Sequence, residues 1–180
     1  MPFPKPIETV LDFWRWGYSD LLPNITRGVV AEYLVAVALG EDRIPRRPWA
    51  GSDIVYTRKR IEVKSTAFDQ TWGPTKGDPA FEIGKHGEWS EEELPSGKTG
   101  RLDSEKKYRS DVYVLCCLKK GADEENVLNP LQWEFWVFKR QELVDPSEAK
   151  KRITVKTLTK DSSVAFSQLR HAVDKAIRSL

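Results

Sequence analysis

No uninterrupted apolar stretch in the chain is longer than the run Val112-Tyr113-Val114-Leu115-Cys116-Cys117-Leu118. It is far short of the roughly 20 residues that a membrane-crossing helix needs. A short apolar run of this kind reads as a buried strand, which has to be covered on both faces. Trp133 to Phe138 is a second such run, beyond a polar loop holding Gly121 and Pro130. Between possible caps at Asn24 or Thr26 and a stop at Gly40, Val29, Val30, Tyr33, Leu34, Val37 and Ala38 recur with helical period. Ser163 to Leu180 repeats that pattern with Val164, Leu169, Val173 and Ile177. Ala80 to Ile83 and Arg152 to Leu158 read as further strands. The expected fold class is therefore α/β, a central mixed β-sheet flanked by helices.

A length of 180 residues suits one domain. Residues 24–180 are expected to form it, and residues 1–23, rich in Pro and aromatics, an extension whose helix at Thr9 to Tyr18 docks on that body. Residues 66–110, with six glycines and three prolines, read as a long irregular insert. Its one expected helical turn is Ser90 to Leu94, where Ser90 and Glu93 make a capping box before Pro95. The start, Met1 to Pro6, has no apolar core of a secretory signal, so a cytoplasmic location without membrane attachment is expected. Adjacent Cys116 and Cys117 offer neither a disulfide framework nor a zinc spacing.

The 29 basic and 27 acidic residues nearly cancel, leaving a net charge of +2. Their distribution is uneven: Arg43 to Lys64 holds seven basic residues against two acids, whereas Glu88, Glu91, Glu92 and Glu93 cluster elsewhere. The basic stretch contains two short strands, Asp53 to Tyr56 and Arg60 to Ser65, joined at Arg58-Lys59 as a hairpin. With that connection, or any other of even length, Asp53, Glu62 and Lys64 share one face while Ile54, Tyr56, Ile61 and Val63 share the other. Two carboxylates on adjacent strands can close on one small cation, and magnesium is normally held by one or two carboxylates plus phosphate oxygens. An ammonium beside it can orient water and offset charge developing on a phosphate. The same three side chains also suit a solvated face with cross-strand ion pairs. Glu32 lies among Gly28, Val29, Val35 and Ala36 with no basic partner on its own helix. Its carboxylate either reaches a metal or a distant cation, or sits at the boundary with water.

The elements Arg27-Gly28-Val29-Val30-Ala31-Glu32-Tyr33, Gly51-Ser52-Asp53-Ile54 and Ile61-Glu62-Val63-Lys64-Ser65 together resemble the PD-(D/E)xK, or restriction-endonuclease-like, nuclease superfamily over residues 25–66. Ser52 stands where the motif's proline would be, and no helix is evident after the motif strand. The resemblance implies a restriction-endonuclease-like core and a Mg²⁺- or Mn²⁺-dependent endonuclease that hydrolyses nucleic-acid phosphodiesters, DNA rather than RNA, by metal-activated water. It puts Asp53 and Glu62 on the metal, with the Val63 carbonyl as a further ligand, Lys64 on the attacking water and Glu32 as an auxiliary acid. A homodimer is expected if both strands of a duplex are cut.

Beyond the motif, Gln70 and Trp72 are candidate substrate contacts, Gln70 by hydrogen bonding and Trp72 by stacking or by packing its loop on the body. Arg58, Lys59 and Arg60 are further candidates, and Lys76, Lys85, Lys98, Arg101, Lys106, Lys107 and Arg109 suit a phosphate track. His86 and His171 receive no metal or general-base role. The alternatives to a nuclease are a catalytically inactive nucleic-acid-binding module of the same fold and a protein-interaction subunit.

Overall fold

Strand β8, Val112–Leu118, is buried at every residue and holds the centre of a four-stranded sheet. Its neighbours are β2, Lys59–Ala67, running parallel to it, and β9, Trp133–Lys139, running antiparallel. A short β1, Ile54–Tyr56, completes the order β1-β2-β8-β9. The computed structural model describes residues 9–47, 50–71, 73–94, 97–123, 126–148, 150–158 and 162–180. The chain is thus mixed α/β with a mixed central sheet, and it has four helices among the described residues.

Helix α2, Asn24–Leu39, packs on the sheet through Val30, Ala31, Leu34, Val35 and Leu39, a spacing of three and four residues that puts them on one face. It starts after Pro23 without a side-chain cap, contrary to the capping expected of Asn24 or Thr26, because Asn24 Oδ1 accepts from Arg27 and the Thr26 hydroxyl donates to the Pro23 carbonyl. It ends at Gly40, whose φ of 80° lets its N–H reach the Ala36 and Val37 carbonyls. Helix α4, Phe166–Arg178, lies on the same face through Leu169 and Val173. Tyr56 ties it to the sheet, donating to Asp174 (3.0 Å) and accepting from Arg170 Nε (3.2 Å).

Among the described residues the other face carries no long helix, which corrects the expectation of helices on both sides. It is covered by β5, Ala80–Gly84, paired antiparallel with β10, Lys150–Thr154, and by the single turn α3, Arg140–Leu143. Phe81, Ile83 and Ile153 from this second layer join Tyr113, Leu115, Cys117 and Trp136 of the central sheet in one buried cluster. Alternation explains why β5 serves: Phe81 and Ile83 are buried while Glu82 between them is exposed. Both cysteines are buried, and burial pushes the Cys117 thiol up to about 12 and that of Cys116 well above its ordinary value, so neither is a reactive thiolate.

Parallel β2 and β8 need a crossover, usually a helix. Here residues 68–111 make it from strands: β3, Asp69–Gln70, with β4, Gly73–Pro74, then β5, then a long hairpin of β6, His86–Leu94, and β7, Gly97–Lys107. The helical turn expected at Ser90 to Leu94 is therefore extended backbone. The ladder places Glu93 opposite Lys98 and Ser90 opposite Arg101.

Helix α1, Val10–Tyr18, begins where expected, with Thr9 Oγ1 accepting from the Asp12 N–H at 3.2 Å. None of its residues is buried, and Trp16 is 85% exposed. Among the described residues of the 1–23 extension, Leu22 is buried in the core and Leu21 packs against it. Among the described residues no helix is long and apolar enough to cross a membrane.

The β1–β2 turn is Thr57-Arg58, one position earlier than expected, with φ of 48° and 65°. Such a turn matches strand twist but strains side chains with a Cβ, and a β-branched Thr most of all. Replacing Thr57-Arg58 by Asn-Gly is expected to stabilise the fold by about 1–2 kcal/mol. Urea unfolding checks this as a higher midpoint at unchanged m-value.

Candidate metal centre at the open edge of strand β2

The shifted turn pairs Ile54 with Ile61, so Asp53, one residue before β1, lies beside Glu62. The connection is still of even length, and Asp53, Glu62 and Lys64 do fall together. The site exists because β1 is short: it pairs only with Lys59, Arg60 and Ile61, leaving the later residues of β2 without a strand on that side. Asp53 fills part of the gap, its Oδ2 accepting from the Val63 N–H at 2.7 Å. A strand residue directs its N–H and C=O to the same edge. The Val63 carbonyl therefore faces the Asp53 side, where a carbonyl ligand was expected.

Glu62 is buried and doubly held: Oε1 accepts from Lys64 Nζ at 2.7 Å, and Oε2 from Ser110 Oγ at 2.9 Å. Burial works against the Lys64 ammonium, but the charge and hydrogen bond of Glu62, with the charges of Asp53 and Glu32, together leave the group above its ordinary value. Tyr113, opposite Glu62 on β8, is buried with its hydroxyl unbonded, and burial, reinforced by Glu62, raises its pKa. Asp53 is pushed up to about 7, first by burial and then by the charges of Glu62 and Glu32. This corner of the fold carries more negative charge than it can comfortably hold.

Glu32 lies on α2, in the wall of a hollow of about 420 Å³ that also includes Asp53. Its carboxylate finds its cation in Arg46: Arg46 Nε donates to Oε2, and Nη2 donates to Oε1 at 3.0 Å. That hydrogen bond, more than any other cause, raises the Arg46 pKa. Of the alternatives for Glu32, the distant cation is the one realised. On the far side of Lys64 a second hollow, about 450 Å³, is lined in part by Lys64, Arg27 and Gln70.

Gln70 is fully engaged there, its Oε1 accepting from Arg27 Nη1 at 2.9 Å and its Nε2 donating to Thr75 Oγ1 at 3.2 Å. Trp72 lies outside the described residues, as do the side chains of Lys98 and Arg101. Arg58 is exposed at the hairpin turn, Lys59 and Arg60 follow it half-buried, and none of the three lines either hollow. Among the described side chains of the expected phosphate track only Lys76 lines one of them; Lys85 instead donates to the Pro146 carbonyl and Lys107 pairs with Glu105. His171 is exposed on α4. The sequence reading missed Ser110, Arg46 and Arg27. Only Arg27 left a signal, as a charged residue in register with the apolar stripe of its helix.

Among the described residues no group of three or more His, Cys, Asp and Glu side chains is gathered as a metal cage. The donor set fits a cation of the magnesium kind, which needs only one or two carboxylates and keeps several waters. Each carboxylate oxygen offers two lone pairs, so the hydrogen bonds to Glu62 leave acceptor capacity free. The chain matches no protein-family model, no curated protein and no solved structure.

In the unfolded chain Asp53 ionises near its ordinary 3.8, whereas in the fold it keeps its proton up to about 7. Its contribution to stability is fully present below about pH 4 and is lost as pH rises through 7. Asp53→Asn keeps the acceptor for Val63 without the charge. The variant is expected to melt higher than the parent at pH 8, with the difference closing toward pH 4, as thermal unfolding at the two pH values in EDTA measures.

Proposed function

We propose that the chain is a metal-dependent nuclease of restriction-endonuclease-like fold that hydrolyses DNA phosphodiesters. The observation that carries this reading is the gathering of Asp53, Glu62, the Val63 carbonyl edge and Lys64 at an open strand edge, where burial and then the charges of Glu62 and Glu32 keep Asp53 protonated to about 7. A buried carboxylate pair of this sort is relieved by a cation. Asp53 and Glu62, with the Val63 carbonyl, would hold Mg²⁺ or Mn²⁺. Bound there, the ion would supply Lewis-acid activation of the phosphodiester and of water.

The chain's own groups have separate tasks in this reading. Lys64, fixed by Glu62, positions the attacking water and offsets charge on the phosphate as it develops. Ser110 holds Glu62 from behind, so that the carboxylate faces the edge. Glu32 acts as an auxiliary acid whose field reaches Asp53 while Arg46 balances it.

Plasmid, single-stranded DNA and RNA incubated with the protein and Mg²⁺ or Mn²⁺ test the reading. DNA cleavage is expected, abolished by EDTA and lowered by about 10²-fold or more in Asp53→Ala and Lys64→Ala. Mn²⁺ at about 100 times its Kd is expected to stabilise the parent by about 2.7 kcal/mol, and Asp53→Ala by much less. Intact substrates throughout sink the proposal. The second reading is a binding module of the same fold without turnover. Salt-sensitive DNA binding with no cutting under any metal would decide for it.

A further inference from the structure

Arg27 occupies a position in α2 that its periodicity reserves for the core. The buried stripe runs Arg27, Val30, Ala31, Leu34, Val35, so a guanidinium stands where an apolar side chain would pack. It is 3% exposed. Its described partners are all neutral: Nη1 donates to the Leu22 carbonyl at 3.0 Å and to Gln70 Oε1 at 2.9 Å, and Nη2 donates to Asn24 Oδ1 at 2.7 Å. Nε is buried without a partner. Among the described residues no carboxylate pairs with Arg27, and burial pushes its pKa below the ordinary value. An arginine buried among neutral acceptors carries a desolvation cost that no countercharge among the described residues offsets. The arrangement makes sense if the countercharge arrives with a ligand.

The second hollow is where such a ligand would sit. Arg27 lines it, together with Lys64, Lys76, Arg152 and Gln70, and four basic side chains on its walls face two acids, Asp78 and Glu82. Guanidinium matches phosphate oxygens in a forked geometry that ammonium cannot reproduce, which accounts for arginine rather than lysine at the buried position. Lys64 belongs both to this hollow and to the candidate metal centre.

We propose that this hollow seats a second backbone phosphate of the nucleic-acid strand, next to the one at the metal centre, with Arg27 as its buried anchor and Lys76 and Arg152 at the rim. For its ligand the inference rests on the nuclease reading. Gln70 Oε1 holds the place of an oxyanion: it accepts from Nη1 where a phosphate oxygen would, and it exchanges for that oxygen when the strand binds. Lys64, shared by both places, fixes the spacing between the two phosphates.

Binding of a fluorescein-labelled single-stranded DNA oligonucleotide, followed by anisotropy in EDTA so that nothing is cut, tests the inference. Arg27→Gln is expected to weaken binding about tenfold and to lower the slope of log Kd against log salt by about 1, whereas Arg27→Lys keeps most of the slope. A folded Arg27→Gln with the parent's Kd and slope overturns the proposal. If that variant does not fold, the double variant Lys76→Ala, Arg152→Ala decides: a reduced slope supports the hollow and an unchanged one overturns it. Oligonucleotides with and without a 5′-phosphate distinguish the two sources of the anion. Equal Arg27 dependence supports a backbone phosphate, and dependence only with the 5′-phosphate overturns that assignment in favour of a strand end. Arg27-dependent binding without metal-dependent cutting would sink the nuclease reading alone. Cutting with an Arg27-independent Kd would sink this inference alone.

Discussion

A side-chain oxygen of Asp53 takes a hydrogen bond that a backbone carbonyl would otherwise take. Were β1 longer at its start, Val63 N–H would be bonded by a neighbouring strand and the edge of β2 would be closed. Instead the strand begins at Ile54, and the carboxylate before it caps the open position. The other parts of the site follow from this substitution of side chain for backbone. Asp53 is held near Glu62, the Val63 carbonyl is left facing outward, and Lys64 projects into the space beyond. The elevated pKa of Asp53 is the energetic trace of the same arrangement, since a carboxylate drawn into a strand edge loses water and gains Glu62 and Glu32 as neighbours.

The framework behind this edge was legible in the sequence wherever hydrophobic pattern alone decides. The run of β8 read as a covered strand, and the periodicity of α2 announced a helix, but its inner face is rotated from the expected stripe: Val30 and Leu34 are buried as expected, whereas Val29, Tyr33 and Val37 are exposed and Ala31, Val35 and Leu39 are buried. The face shared by Asp53, Glu62 and Lys64 depended only on the parity of the turn, so it survived a one-residue error in the turn's position. That error has a local cause: Thr57 and Arg58 adopt positive φ without the Asn or Gly that normally announces it.

What escaped the sequence reading was set by partners distant along the chain. The second layer, β5 with β10, rests on Phe81, Ile83 and Ile153, too few apolar positions to declare a sheet face until they are paired. The long hairpin of β6 and β7 hid behind a glutamate run that reads equally well as a helical turn, and only the pairing with a partner strand decides between them. Glu32 was correctly singled out as a carboxylate in need of a cation, but Arg46 lies 14 residues away in an extended segment with no period to locate it. Ser110 is a single hydroxyl ahead of a strand, and nothing in one sequence distinguishes it from any other serine.

An open strand edge also invites any extended chain to add to it, which is how many folded proteins begin to aggregate. At Val63 that invitation is already answered: its N–H donates to Asp53 Oδ2 at 2.7 Å, so a bond that an added strand would make there is taken. The carboxylate that opens the edge to a ligand thus also guards it against a neighbouring chain.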